Sequence, residues 1–189
     1  MSSTLILASK SPRRKQLLEM AEIQFTIQTK DTAEDYPEHM PAEKVPVYIA
    51  LQKALAIHQD FPEGRILAAD TIVLLDNQII GKPENRLDAI RILSLLSGQT
   101  HQVITGVVIL DGKQKIEFSD STEVEFHPLS LEQITSYVDK YMPYDKAGAY
   151  AIQEWIGTIG IKRINGCYYN VMGLPISKVL QHLDGMNKE

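Results

Sequence analysis

The chain has 189 residues, 44% hydrophobic and 23% charged, enough apolar surface for one sizeable core and unlike a disordered or low-complexity chain. Twenty-four acidic against nineteen basic side chains leave a net charge of −5, which excludes the basic face that coating nucleic acid requires. A single cysteine, Cys167, excludes an intrachain disulfide and a multi-cysteine zinc site, and with no apolar run of signal-peptide or membrane-span character the cytoplasm is the expected location.

Leu5 to Ala8 reads as a buried strand and Arg13 to Met20 as a helix with Leu17, Leu18 and Met20 inward. Between them, ASKSPRR puts Pro12 at the first helical position and two arginines in the first turn. That charge bias is reversed, because helix starts gain from acidic residues and lose from basic ones. Free backbone N–H groups, the Ser9 and Ser11 hydroxyls and the guanidinium forks of Arg13 and Arg14 would together bind a phosphate or carboxylate. The alternative is a capped surface helix with two solvated arginines.

Phe25 to Thr29 alternates as a second strand, and the acidic, aperiodic Asp31 to Pro46 reads as a loop and candidate lid. Val47 to His58 has helical spacing, with Ile49 or Ala50, Leu51, Ala54, Leu55 and Ile57 on the buried side. Ile66 to Leu75, ILAADTIVLL, suits a central strand buried on both faces. Asp70 interrupts it, where an unpaired carboxylate is costly to bury. Either it caps an element or pairs with a lysine, or it lines a cleft as metal ligand or general base.

Asp76-Asn77 predicts a hairpin turn into Gln78 to Ile80, and Lys82 sits on a loop fixed by Gly81 and Pro83. A helix follows over Arg86 to Leu96, with Leu87, Ile90, Leu93 and Leu96 on one stripe and Gly98 stopping it. Thr100 to Leu110 and Lys113 to Phe126 flank Asp111-Gly112 as long antiparallel strands, which argues against a purely doubly wound sheet. Leu131 to Tyr141 is a helix with Ile134, Tyr137, Val138 and Tyr141 inward. Tyr144 to Gln153 reads as loop, Ile159 to Ile164 and Cys167 to Val171 as a hairpin about Asn165-Gly166, and Leu174 onward as a terminal amphipathic helix. The five histidines lack zinc-ligand spacing and are expected at the surface; Trp155, Tyr168 and Tyr169 could stack a base or a neighbouring subunit, but aromatic residues near a hairpin are more often core, where they are expected. The class is mixed α/β, in one domain.

The polar residues that do not belong to a core are Ser9, Ser11, Arg13, Arg14, Lys53, Asp70, Thr71, Lys82, Lys146 and Gln153. Cations in separate segments fit a polyphosphate, with a divalent cation held by Asp70 and an acid of Glu34-Asp35. A nucleophile elbow, a Walker sequence and a dinucleotide fingerprint are all absent from the sequence.

S-x-S-P-R-R, A-D-T-I-V, G-K-P, S-G-x-x-H-x-V-x-T-x-V, D-K-A-G-A-Y-x-I-Q and V-x-G-L-P, in this order over the whole chain, resemble the Maf nucleotide pyrophosphatases. The resemblance implies a long twisted sheet with flanking helices and two lobes around a cleft, similar to the inosine triphosphate pyrophosphatases, in a homodimer; charge and hydropathy add the expectation of no membrane or nucleic-acid partner. It also implies hydrolysis of a nucleoside triphosphate to the monophosphate and pyrophosphate with Mg²⁺ or Mn²⁺. Carried across by motif, Ser9, Ser11, Arg13, Arg14, Lys53 and Lys82 would bind phosphate, Asp70 would accept the proton of water, and Glu34 with Asp70 would hold the metal. Glu34 departs from the family pattern, which often shows Asp-Glu where this chain reads Ala33-Glu34-Asp35. Lys146 carries over as a cleft residue. Arg13, Thr71 and Gln153 resemble the branch acting on dTTP and UTP rather than that acting on 7-methyl-GTP. A glutamine amide both donates and accepts, which suits the N3–H and carbonyl edge of uracil or thymine. A nucleotide-binding regulator of cell division or septum formation, and a pyrophosphatase for purine or modified nucleotides, are the alternatives.

Overall fold

The computed structural model describes residues 4–186. Strand β1 (Leu5–Leu7) pairs in parallel with β2 (Phe25–Ile27) on one side and with β3 (Arg65–Leu75) on the other. Helix α1 (Pro12–Met20) joins the first two strands. Strand β3 turns through Asp76 and Asn77, both in the left-handed region at φ 47° and 63°, into antiparallel β4 (Gln78–Ile80), the backbone that a two-residue hairpin needs. Strands β5 (Thr100–Asp111) and β6 (Gln114–Phe126) form the long hairpin. Its turn lies on Gly112 and Lys113, one residue later than expected, with the positive φ at Gly112. With β7 (Ile161–Asn165) they complete a seven-stranded mixed sheet of order β2-β1-β3-β5-β6-β7, β4 lying on β3.

The remaining helices are α2 (Val45–His58), α3 (Arg86–Leu96), α4 (Leu131–Tyr141), α5 (Trp155–Gly160), α6 (Tyr168–Met172) and α7 (Ile176–Met186). No helix among the described residues is long and apolar enough to cross a membrane. The chain divides into two compact units. The first takes in the chain up to Asp70, Thr105–Asp120 and the segment from Gly173 on. Its core sets Ala50, Ala54 and Ile57 of α2 against Ile6, Ile66, Ala68, Val108 and Leu110 of the sheet. Small residues there let helix and sheet approach closely. At Gly106 on β5 a Cβ would stand 2.6 Å from Val47 Cα, so only glycine admits the start of α2.

The second unit comprises Thr71–Ile104 and Ser121–Met172. Its core gathers Val73, Leu93, Leu96, Phe126, Tyr137, Val138, Tyr150 and Ile156. Helix α4 begins with a reciprocal cap in which Ser130 Oγ accepts from Gln133 N and Ser130 N donates to Gln133 Oε1.

Several expectations are corrected. Met20, Leu55 and Leu87 are exposed, because each lies one or two positions off the stripe its helix buries. In α1 that stripe is Arg14, Leu17 and Leu18, one face at i, i+3 and i+4. The expected hairpin about Asn165-Gly166 is absent: β7 pairs with β6 instead, and the segments on either side are the short helices α5 and α6. Gly166, at φ 134°, turns the chain directly over Thr122, whose Oγ1 accepts from Cys167 N at 3.0 Å. Trp155, Tyr168 and Tyr169 are each 38% exposed rather than core.

Of the histidines expected at the surface, His58 and His182 are half-buried and His101 is buried, at 2% exposure. Its ring lies edge-on to Phe126 and Tyr150, and its Nε2 shares a 2.8 Å hydrogen bond with Tyr150 Oη. Burial pushes the imidazole down to about 4 and the Tyr150 phenol up. The folded state therefore stays neutral while an unfolded chain protonates below about 6.5. The stability this group contributes is present at neutral pH and is lost as pH falls from about 6.5 towards about 4. Lowering pH from about 7 to about 5 is expected to cost the wild type about 2 kcal/mol more than His101→Gln, read from urea midpoints. Equal losses would place the acid sensitivity elsewhere.

Candidate active site

Strand β1 ends at Leu7, and Ala8 N still donates to Leu67 O at 2.8 Å, so the chain leaves the sheet at Ser9. Ser9 Oγ accepts from Ser11 N at 3.2 Å and from Arg14 Nη1 at 3.1 Å. Ser11 is the N-cap of α1, accepting from Arg14 N, with Pro12 opening the helix. Arg14 faces inward and is 8% exposed, and its Nε donates to Gly173 O at 2.8 Å. Burial lowers the pKa of its guanidinium, Asp70 and Glu34 oppose that shift, and Arg13 adds to it. These four charged groups thus share one electrostatic neighbourhood.

Asp70 is 8% exposed on β3, directly after Ala68 and Ala69, both at 0%. Its Oδ1 accepts from Lys53 Nζ at 2.7 Å, and the same ammonium donates at 2.7 Å to Glu34 Oε1 on the loop before α2. Lys53 reaches there because it stands four residues from both Ile49 and Ile57, in the row that α2 buries. One ammonium bound by two carboxylates, beside a buried guanidinium, is a compact set of fixed charges. It offers a base, two hard oxygen ligands and cations for an anionic substrate.

The first unit therefore brings together Ser9, Ser11, Arg13, Arg14, Glu34, Lys53 and Asp70. Thr71, Lys82 and Gln153 belong to the second unit. Lys82 and Gln153 are exposed there and Thr71 is half-buried. Lys146, expected as a cleft residue, is 7% exposed, with its Nζ 2.7 Å from Asp145 Oδ1 and 3.5 Å from Glu154 Oε1. Among the described residues no group of three His, Cys, Asp or Glu side chains is arranged to hold a metal. Two contacts escaped the sequence reading. One is the Gly173 carbonyl under Arg14, although V-x-G-L-P marked that segment. The other is Glu154, which accepts from the Tyr137 hydroxyl and follows Gln153 directly.

The chain is 49% identical over 185 residues to a dTTP/UTP pyrophosphatase of Cytophaga hutchinsonii, covering 98% of this chain and 85% of that one. It is 47% identical over 181 residues to a dTTP/UTP pyrophosphatase of Bacteroides thetaiotaomicron, with 95% and 94% covered. In fold it is similar to the Ham1 protein of Staphylococcus aureus, with a TM-score of 0.53 at 14% identity over 96% of this chain and 98% of that one. Residues 4–186 match the family model described as Maf-like protein, and the chain belongs to the Maf family.

Proposed function

We propose that the protein is a nucleoside triphosphate pyrophosphatase that hydrolyses dTTP and UTP to the nucleoside monophosphate and pyrophosphate. Relatives named for that activity at 47–49% identity over nearly the whole chain support the reaction and its substrates. The observation that carries the chemistry is Asp70, a carboxylate 8% exposed in an apolar strand with one oxygen on Lys53.

In this reading water attacks the α-phosphorus, the bond from that phosphorus to the α–β bridging oxygen breaks, and pyrophosphate leaves. Asp70 accepts the water's proton. Lys53 is oriented by Asp70 and Glu34, so its charge is in place before the phosphates arrive, which reduces the reorganisation needed at the moment of reaction. Ser9, Ser11, Arg13 and Arg14 receive the phosphates at the start of α1, with Lys82 as a further cation. Arg14 is held for this by Ser9 and Gly173.

A divalent cation fits the donors present, because Mg²⁺ and Mn²⁺ are commonly bound by one or two carboxylates together with substrate phosphates. Glu34 and Asp70 would hold it. Such a cation supplies charge neutralisation on the triphosphate oxygens. Arg13, Thr71 and Gln153 set the preference for pyrimidines, with the Gln153 amide meeting the polar edge of the base. The proposal extends to one functional domain, supported by a single family match over residues 4–186, and to a cytoplasmic homodimer.

Pyrophosphate release from dTTP, UTP, CTP, GTP, 7-methyl-GTP and ITP with Mg²⁺ or Mn²⁺ tests the reading. Turnover confined to dTTP and UTP is expected. Preferential purine turnover would remove the roles given to Arg13, Thr71 and Gln153, and binding without turnover would favour a regulator.

A further inference from the structure

Gln153 carries its amide on an exposed side chain, and an exposed glutamine on a free loop would lose entropy each time it met a base. The backbone around it is not free. Glu154 N donates to Ala151 O at 3.1 Å, closing a turn with Ile152 and Gln153 at its centre. Ile152 is 6% exposed. Gly157 packs so closely on it that a Cβ would stand 2.9 Å from Ile152 Cα. Glu154 O in turn accepts from Gly157 N at 3.0 Å and Thr158 N at 3.3 Å.

Glu154 is the N-cap residue of α5, yet its side chain makes no capping hydrogen bond. It points instead to the Tyr137 hydroxyl, which donates to Oε2, while Lys146 Nζ stands 3.5 Å from Oε1. Tyr137 is 1% exposed on α4, within the core of the second unit, and Lys146 is 7% exposed, with its Nζ also 2.7 Å from Asp145 Oδ1. A neutral and a cationic group thus fix both carboxylate oxygens of the residue that ends the Gln153 turn.

We infer that Tyr137, Glu154 and Lys146 form a brace that sets the position of Gln153, and that they are positioning residues for recognition of the pyrimidine base. The inference rests on the base-recognition role proposed for Gln153. A brace of this kind keeps the amide pre-aimed, so the base meets it at lower ordering cost. It acts on substrate choice and leaves the proton transfer at Asp70 untouched.

The test compares Tyr137→Phe, which keeps the ring stacked on Tyr141 and removes only the hydroxyl, with Gln153→Ala and the double variant. The assay is steady-state pyrophosphate release from dTTP, UTP and CTP, with thermal melts alongside. Tyr137→Phe is expected to raise KM for dTTP and UTP by about three- to tenfold, with a smaller change in kcat. It should lower the ratio of kcat/KM for dTTP over CTP, as Gln153→Ala does, and the double variant should fall no further than Gln153→Ala alone. Should Tyr137→Phe fail to fold, Glu154→Ala, which removes both carboxylate oxygens of a side chain that makes no capping hydrogen bond, carries the same expectation. A lowered melting temperature with an unchanged selectivity ratio, while Gln153→Ala collapses that ratio, would overturn the brace and leave Gln153 in its role. An unchanged ratio in Gln153→Ala would overturn the reading of Gln153 and the brace with it.

Discussion

Asp70→Asn is expected to lower kcat for pyrophosphate release from dTTP by about 10²- to 10⁴-fold while nucleotide binding, followed by calorimetry, is largely kept. The amide oxygen of asparagine still offers Lys53 Nζ the acceptor it uses at 2.7 Å, so the local geometry has a reason to survive. What is lost is a group that takes a proton, together with one of two negative charges on the Lys53 ammonium. Extra positive charge favours triphosphate binding, so a KM that falls or holds while kcat collapses is the signature of removed chemistry. Wild-type-like turnover by this variant would take Asp70 out of the mechanism. A loss of binding and turnover together would make Asp70 a structural partner of Lys53 instead.

Gly106→Ala is expected to be the most damaging small substitution in the first unit. The added methyl would meet Val47 Cα at 2.6 Å, and since its neighbours are backbone atoms of Pro46 and Val47, no rotamer change relieves the clash. Moving the start of α2 off the sheet is expected to cost about 3 kcal/mol, or roughly 6–12 °C in melting temperature for a chain of this size. Helix α2 carries Lys53, so turnover should fall with stability. A melting temperature within about 1 °C of wild type, in a circular dichroism melt, would mean that α2 can shift here at little cost.

These predictions depend on contacts of different sequence range, which explains what could be read in advance. Near-continuous apolar residues announced β3, and the odd carboxylate in them announced Asp70, because burying an unpaired charge is costly wherever the strand lies. Turn residues announced both hairpins, since a positive φ is a local demand. Pro12 and Ser11 announced the start of α1, and its reversed charge pointed to an anion. The sequence also carried the family likeness in its ordered motifs.

Periodicity went wrong where a helix buries a narrower stripe than its apolar residues outline, as at Met20, Leu55 and Leu87. The Asn165-Gly166 turn signal also failed, in the last third, where β7 found its partner in β6 rather than in the next segment. Apolar spacing shows that a face will be covered, and the covering element lies beyond the few residues over which such spacing acts.

By itself, then, the sequence determined the mixed α/β class, most elements, the hairpin turns and the kinds of residue the chemistry needs, because each follows from interactions within a few residues of the chain. Tertiary structure alone decided that the Lys53 ammonium is held between Asp70 and Glu34, that Arg14 is tied to a carbonyl 159 residues further on, that His101 is buried, and that Glu154 is bound by Tyr137 and Lys146. Each of those pairings depends on which strands lie side by side and which helix faces they bury, and no local pattern encodes that choice.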